Sequence, residues 1–98
     1  NTQFVLADLK ARGTAARIFV NDCIAKLLKG ELDVATAAMA KYWVTELQSE
    51  VVDKCLQLHG GAGYINEYPI AKMYRDARIT RIFGGSNEVM KMLIARSM

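Results

Sequence analysis

Three glycines within four positions, in the run His59-Gly60-Gly61-Ala62-Gly63-Tyr64, break an otherwise helical pattern. Neither a helix interior nor a central strand accommodates such a cluster, because glycine loses more backbone entropy than any other residue when it is fixed. The chain must therefore reverse or hinge here. A second pair, Gly84-Gly85, sets another break further on.

Before the first break the periodicity is that of two long helices. Between positions 4 and 28, Val5, Leu9, Ala16, Phe19, Val20, Cys23, Ile24 and Leu27 recur at three- and four-residue steps, the spacing of an amphipathic helix. Lys10, Arg12, Arg17 and Lys26 occupy the other side. Gly13 costs about 1 kcal/mol relative to Ala within that pattern, which points to a close helix contact. Lys29-Gly30 reads as a stop and Asp33 as the N-cap of the next helix. Positions 34–58 carry Ala37, Ala38, Ala40, Trp43, Val44, Leu47, Val51, Val52, Cys55 and Leu56, with small residues in the first half that let neighbours approach. Phe19 and Trp43 are expected in the core.

After the first break, Pro69 suits the first turn of a short helix with Ile70, Met73, Tyr74 and Ala77 as its apolar face. Arg75 and Asp76 read as an ion pair fixing that helix. Ser86 is a good N-cap for a last helix carrying Val89, Met90, Leu93 and Ile94. No stretch alternates with period two long enough to be a strand, and only residues 79–83 are ambiguous. The expected fold is all-α, an up-down bundle of two long antiparallel helices and two shorter ones, without internal repeats.

At 98 residues and 52% hydrophobic, the chain fits one small domain, which buries only about two thirds of its unfolded surface. No run approaches the ~18 apolar residues of a membrane span, and the N-terminus lacks a signal pattern. Thirteen basic residues against ten acidic ones are too balanced to argue nucleic-acid binding. Cys23 and Cys55, with one His and no Cys-x-x-Cys, give neither a zinc signature nor a disulfide framework. Buried free thiols in a reducing compartment are expected. Asn1 without Met and Met98 directly after a helical pattern suggest a piece of a longer protein.

Glycines at a helix boundary have two common uses. They reverse the chain where a side chain would clash, or they bring free backbone N–H groups to a phosphate or flat ring. The helix-first order excludes a Rossmann fingerprint, which follows a strand.

Three blocks in register resemble the terminal signature of the acyl-CoA dehydrogenase family. Gln57-Leu58-His59-Gly60-Gly61-Ala62-Gly63-Tyr64 is similar to its Gln-x-x-Gly-Gly-x-Gly-aromatic turn. Glu67-Tyr68-Pro69 with Tyr74-Arg75-Asp76-Ala77-Arg78-Ile79 matches the connecting helix, and Ile82-Phe83-Gly84-Gly85-Ser86-Asn87-Glu88-Val89 through Ile94-Ala95-Arg96 matches the last turn and helix. The likeness spans essentially the whole chain. It implies the C-terminal helical domain of an FAD-dependent enzyme that dehydrogenates an acyl-CoA between its α- and β-carbons. It further implies a homotetramer, an electron-transfer flavoprotein as electron acceptor, and residence in a bacterial cytoplasm or the mitochondrial matrix. Carried over by position, Gln57, Leu58, His59, Gly60 and Gly61 would meet the ADP part of FAD bound mainly by a neighbouring subunit. Ser86, Asn87 and Glu88 would lie by the protomer's own flavin, with Phe83 and Gly85 near the thioester. His59 is expected to hydrogen-bond to backbone or FAD rather than to act as an acid or base. Ser86 has a purely structural alternative as a plain cap, and both roles are compatible.

The resemblance departs from the most familiar pattern at one position. Removing the proton α to a thioester needs a carboxylate tuned upward by apolar burial, and many members carry it directly before the glycine of the last turn. Gly84 stands there and cannot abstract a proton. The expectation is a base on an earlier helix preceding Asn1, as in long-chain and isovaleryl-type members, so that the 98 residues alone are inactive. The competing readings are a flavin-clamping and oligomerisation module of a relative with other or no dehydrogenase activity, and a free-standing helical interaction protein.

Overall fold

The computed structural model describes residues 1–98 and forms four α-helices: α1 (Thr2–Leu28), α2 (Val34–Leu58), α3 (Pro69–Arg78) and α4 (Asn87–Ser97). Short 3-10 turns occupy Gly60–Tyr64 and Ile79–Arg81, so the ambiguous 79–83 stretch is a 3-10 turn running into a bend and forms no strand. The helix ends follow local chemistry. Gly30, at φ 70°, donates to Leu27 O at 3.0 Å while Glu31 N–H reaches Lys26 O at 2.8 Å, a Schellman closure of α1. Asp33 accepts the Thr36 hydroxyl at 2.6 Å and the Thr36 N–H at 3.0 Å. Those two bonds, the hydroxyl first, hold its carboxyl below the usual range. Pro69 sits in the first turn of α3, and Ser86 Oγ accepts the Val89 N–H at 3.3 Å to cap α4.

α2 is the spine, and the other helices run antiparallel along it. Arg12 pairs with Glu50 and Phe19 meets Trp43, so each step forward along α1 is a step back along α2. On its other flank Ala71 shares a cleft with Leu56, Arg81 bonds Glu46, Asn87 bonds Thr45 and Ile94 shares a groove with Met39. α3, the 79–81 turn and α4 therefore descend α2 in succession. The bundle measures 44 × 25 × 23 Å, and none of its helices is long and apolar enough to cross a membrane.

Small side chains make the core. Leu9, Ala16 and Cys23 are buried at seven-residue steps along α1, facing α2 with its buried Ala38 and Leu47. α3 contributes Ile70, Ala71 and Ala77. Alanines at four of these positions permit close helix approach. Arg12 stitches α1 to α2, donating to both oxygens of Glu50 at 2.6 and 3.0 Å, while Asp8 and Lys54 extend the network. Arg12 first, then Lys54, draws the Glu50 carboxyl down to about 2.

Several sequence expectations need correction. Gly13 has nothing within 4 Å of where a Cβ would stand, so it marks no helix contact. Trp43 packs edge-to-face on Phe19, with centroids 6.2 Å apart, but stays 38% exposed at the bundle's rim. α3 is rotated so that Ala71 is buried, while Met73 and Tyr74 are exposed. Arg75 and Asp76 form no ion pair, because neighbouring helical residues point about 100° apart and do not face each other. Ile24 and Leu27 belong to an outer apolar face of α1, with Phe4, Ile18 and Leu28, all at least half exposed. Cys23 is buried and Cys55 half-buried, both as free thiols.

Candidate functional site

The first glycine turn folds back on the end of α2. The His59 N–H closes the helix on Cys55 O and Leu56 O, the backbone at this cap closes on Gln57 O as well, and Gly60 then takes φ 62°. The three glycines serve different ends. At Gly60 and Gly61 a Cβ would meet nothing within 4 Å, and both residues are exposed. Gly63 is the reverse. A Cβ there would stand 2.5 Å from Leu56 O and 2.9 Å from Leu56 Cγ, so only glycine lets the turn close onto α2.

Around this turn Gln57 is exposed and Leu58 is 42% exposed. His59 Nδ1 lies 2.8 Å from Cys55 O. A carbonyl can only accept, so Nδ1 carries the hydrogen and Nε2 is left outside that bond. This is the backbone contact expected of His59. Beneath the turn is a cleft of about 520 Å³, lined in part by Leu56, Gly63, Tyr64 and Tyr74.

The second turn, residues 82–86, carries Gly84 at φ 67° and Gly85 at φ 93°. Phe83 is 57% exposed. The N–H groups of Gly84, Gly85, Ser86, Asn87 and Glu88 have no acceptor in the chain, an unbroken run ending at a helix N-terminus, where the dipole favours negative charge.

Below this turn lies a polar network that sequence reasoning missed. Asn87 is only 2% exposed. Its Oδ1 accepts from Lys41 Nζ at 2.8 Å, and its Nδ2 donates to Thr45 Oγ1 and Glu46 Oε1, each at 3.0 Å. Lys41 Nζ also donates to Gly85 O at 2.7 Å, and Arg81 donates to Glu46 Oε2 at 3.1 Å. Asn87 first, then Arg81, holds the Glu46 carboxyl below its usual range. The side chain of Asn87, expected beside the flavin, is thus wholly engaged inward, because a buried amide must satisfy its donors and acceptor. Its N–H alone is left without an acceptor in the chain. The available signal was Lys41, Thr45 and Glu46, polar residues one helical turn apart on a helix otherwise rich in alanine. Glu88 is exposed, without a partner, at the edge of a small pocket with Arg78 and Arg81.

The structure does not bring the two turns together. Sixteen residues of α2 separate Lys41, under the second turn, from Gln57 at the first, a rise of about 24 Å at ~1.5 Å per residue.

Residues 1–98 match the acyl-CoA dehydrogenase C-terminal domain. The mitochondrial long-chain specific acyl-CoA dehydrogenase of Rattus norvegicus is 54% identical over 94 residues, covering 96% of this chain and 22% of that protein. The 3-(aryl)acrylate reductase of Clostridium sporogenes is 40% identical over 96 residues, covering 98% of this chain and 26% of the reductase. The crystal structure of an acyl-CoA dehydrogenase from Geobacillus kaustophilus superposes with a TM-score of 0.95 at 42% identity, over 97% of this chain and 25% of that one. The chain thus spans about a quarter of each protein it matches. Matched along its whole length in both sequence and fold, it belongs to the acyl-CoA dehydrogenase family.

Proposed function

We propose that this chain is the C-terminal, cofactor-gripping domain of an FAD-dependent enzyme that dehydrogenates an acyl-CoA thioester between its α- and β-carbons. The supporting observation is the pair of exposed glycine turns spaced along one helix, the second presenting an unbroken run of N–H groups without acceptors. Such donors fit the pyrophosphate, ribose and ring oxygens of FAD, and the open space at Gly60, Gly61 and Gly84 admits close approach. Gln57, Leu58, His59, Gly60 and Gly61 would hold the ADP part. Ser86, the Asn87 N–H and Glu88 would hold the flavin side, with Phe83 and Gly85 against the thioester. Bound FAD would take up the hydride leaving the β-carbon.

The chain's own residues bind and orient, and do not take the α-proton. Gly84 has no side chain, and its φ of 67° disfavours any residue that has one. Glu88 is exposed, unlike a carboxylate tuned by apolar burial. The base is therefore assigned to an element outside these 98 residues. The ~24 Å between the turns argues that one protomer cannot apply both to the same part of a cofactor, which favours a flavin site shared between subunits of a homotetramer. An electron-transfer flavoprotein would accept the electrons, in a bacterial cytoplasm or the mitochondrial matrix.

The test is titration of the full-length, FAD-loaded protein with acyl-CoA thioesters of graded chain length. At least one should bleach the flavin absorption; failure of all of them sinks the dehydrogenase reading. The relative named as a 3-(aryl)acrylate reductase favours a second reading, in which the same scaffold reduces a carbon–carbon double bond. Reduced flavin that an arylacrylate reoxidises, with no bleaching by saturated thioesters, would select it.

A further inference from the structure

Arg81, on one side of the second glycine turn, and Gly85 and Asn87, on the other, are all tied to a single stretch of α2. Arg81 reaches Glu46, Asn87 bridges Glu46 and Lys41, and Lys41 closes the circuit on Gly85 O at 2.7 Å. The apex between these ties has no such hold: Ile82 and Phe83 are more than half exposed and the two glycines are in left-handed conformations.

The Lys41 bond sets a direction. A trans peptide points its C=O and the following N–H to opposite sides, and the chain has no cis peptide. With Gly85 O drawn onto the α2 ammonium, the Ser86 N–H must point away from α2, out of the bundle. The bond is charge-assisted and therefore stronger than a neutral one. Asn87, immobilised by three side chains and a backbone carbonyl of α2 and by the start of α4, holds the next peptide in place.

We propose that Lys41 and Glu46, acting through Asn87, are positioning residues that clamp the 83–86 turn so that its free N–H groups face the flavin and thioester. They touch neither cofactor nor substrate. The functional consequence rests on the dehydrogenase reading; the clamp itself does not.

The experiment compares K41M and K41R with R12M in the full-length, FAD-loaded protein. R12M cuts the α1–α2 ion pair far from the turn and serves as a control for general destabilisation. K41M should speed amide hydrogen exchange at least fivefold in peptides covering residues 82–90, while peptides covering 60–68 stay unchanged. It should lower kcat at least threefold with KM within twofold, and shift the flavin absorption band. K41R, whose guanidinium can still donate to Gly85 O, should restore most of the protection and rate. Wild-type exchange over 82–90 in K41M overturns the proposal, as does an equal kcat loss in R12M at a matched drop in Tm. If no substrate turns over in the wild type, the dehydrogenase reading fails, and exchange alone decides the clamp.

Discussion

Replacing Gly63 with alanine tests whether the first turn is shaped by close packing or merely by flexibility. The new Cβ would stand 2.5 Å from Leu56 O, where an ordinary carbon–oxygen contact is about 3.3 Å, so a gap of about 0.8 Å must open. The Leu56 side chain can swing aside, but its carbonyl cannot: it belongs to the last turn of α2 and accepts the His59 N–H at 3.0 Å. Overpacking of this kind costs about 1–3 kcal/mol. The neighbours supply controls on the same turn. Gly61, with open space and an unremarkable φ, should accept alanine with a gain of up to about 1 kcal/mol from a less disordered unfolded chain. Gly60, at φ 62°, should lose about 1–2 kcal/mol to left-handed strain alone. Urea melts of the FAD-free full-length protein, compared at constant slope, should rank G61A highest and place G63A at least about 1.5 kcal/mol below it. Coincident midpoints for G63A and G61A would refute the reasoning, because the turn would then be swinging off α2 at no cost.

Other consequences are equally concrete. Glu50 is held at about 2 against an ordinary 4.5, so the stability it contributes is complete above pH 4.5 and drains away as pH falls toward 2; a melting series from about pH 5 to about pH 3 should be shallower in E50Q, and added salt should flatten the wild-type curve. S86A removes the α4 cap and should cost about 0.5–2 kcal/mol while weakening FAD retention; S86T, with its hydroxyl kept, should recover both, and unaltered stability in S86A would contradict the capping role. The 98-residue chain alone should bind a hydrophobic dye such as ANS through the outer face of α1 and should hold no FAD, as measured by fluorescence and by absorbance after desalting. Tight flavin binding by that chain would contradict a site divided between subunits.

The helix boundaries were legible because each rests on chemistry within four residues: Asp33 with Thr36, Gly30 with Leu27 and Lys26, Ser86 with Val89. The glycine breaks were legible for the same reason. What local pattern could not carry was the third dimension. Gly63 reads like Gly61 in the sequence, yet one is packed against a helix carbonyl and the other faces open space. Asn87 lies in a motif associated with flavin contact, but its depth depends on Lys41 and Glu46, more than forty positions earlier. Trp43 carries the period of a core residue and sits at the rim, because α1 and α4 part around it to leave an apolar groove. Met73 and Tyr74 fit a three- and four-residue step but stay exposed, while α3 turns Ile70 and the small Ala71 and Ala77 inward.

The outer side of α1 has a consequence for the fate of the polypeptide in a cell. With ten of 98 residues buried and Phe4, Ile18, Leu27 and Leu28 facing outward, an unaccompanied copy displays the same greasy surface that chaperones and proteases use to recognise misfolded chains. Its lifetime would then be set by how quickly that side is covered, so that unassembled copies are cleared and abundance follows the supply of binding partners rather than the rate of synthesis.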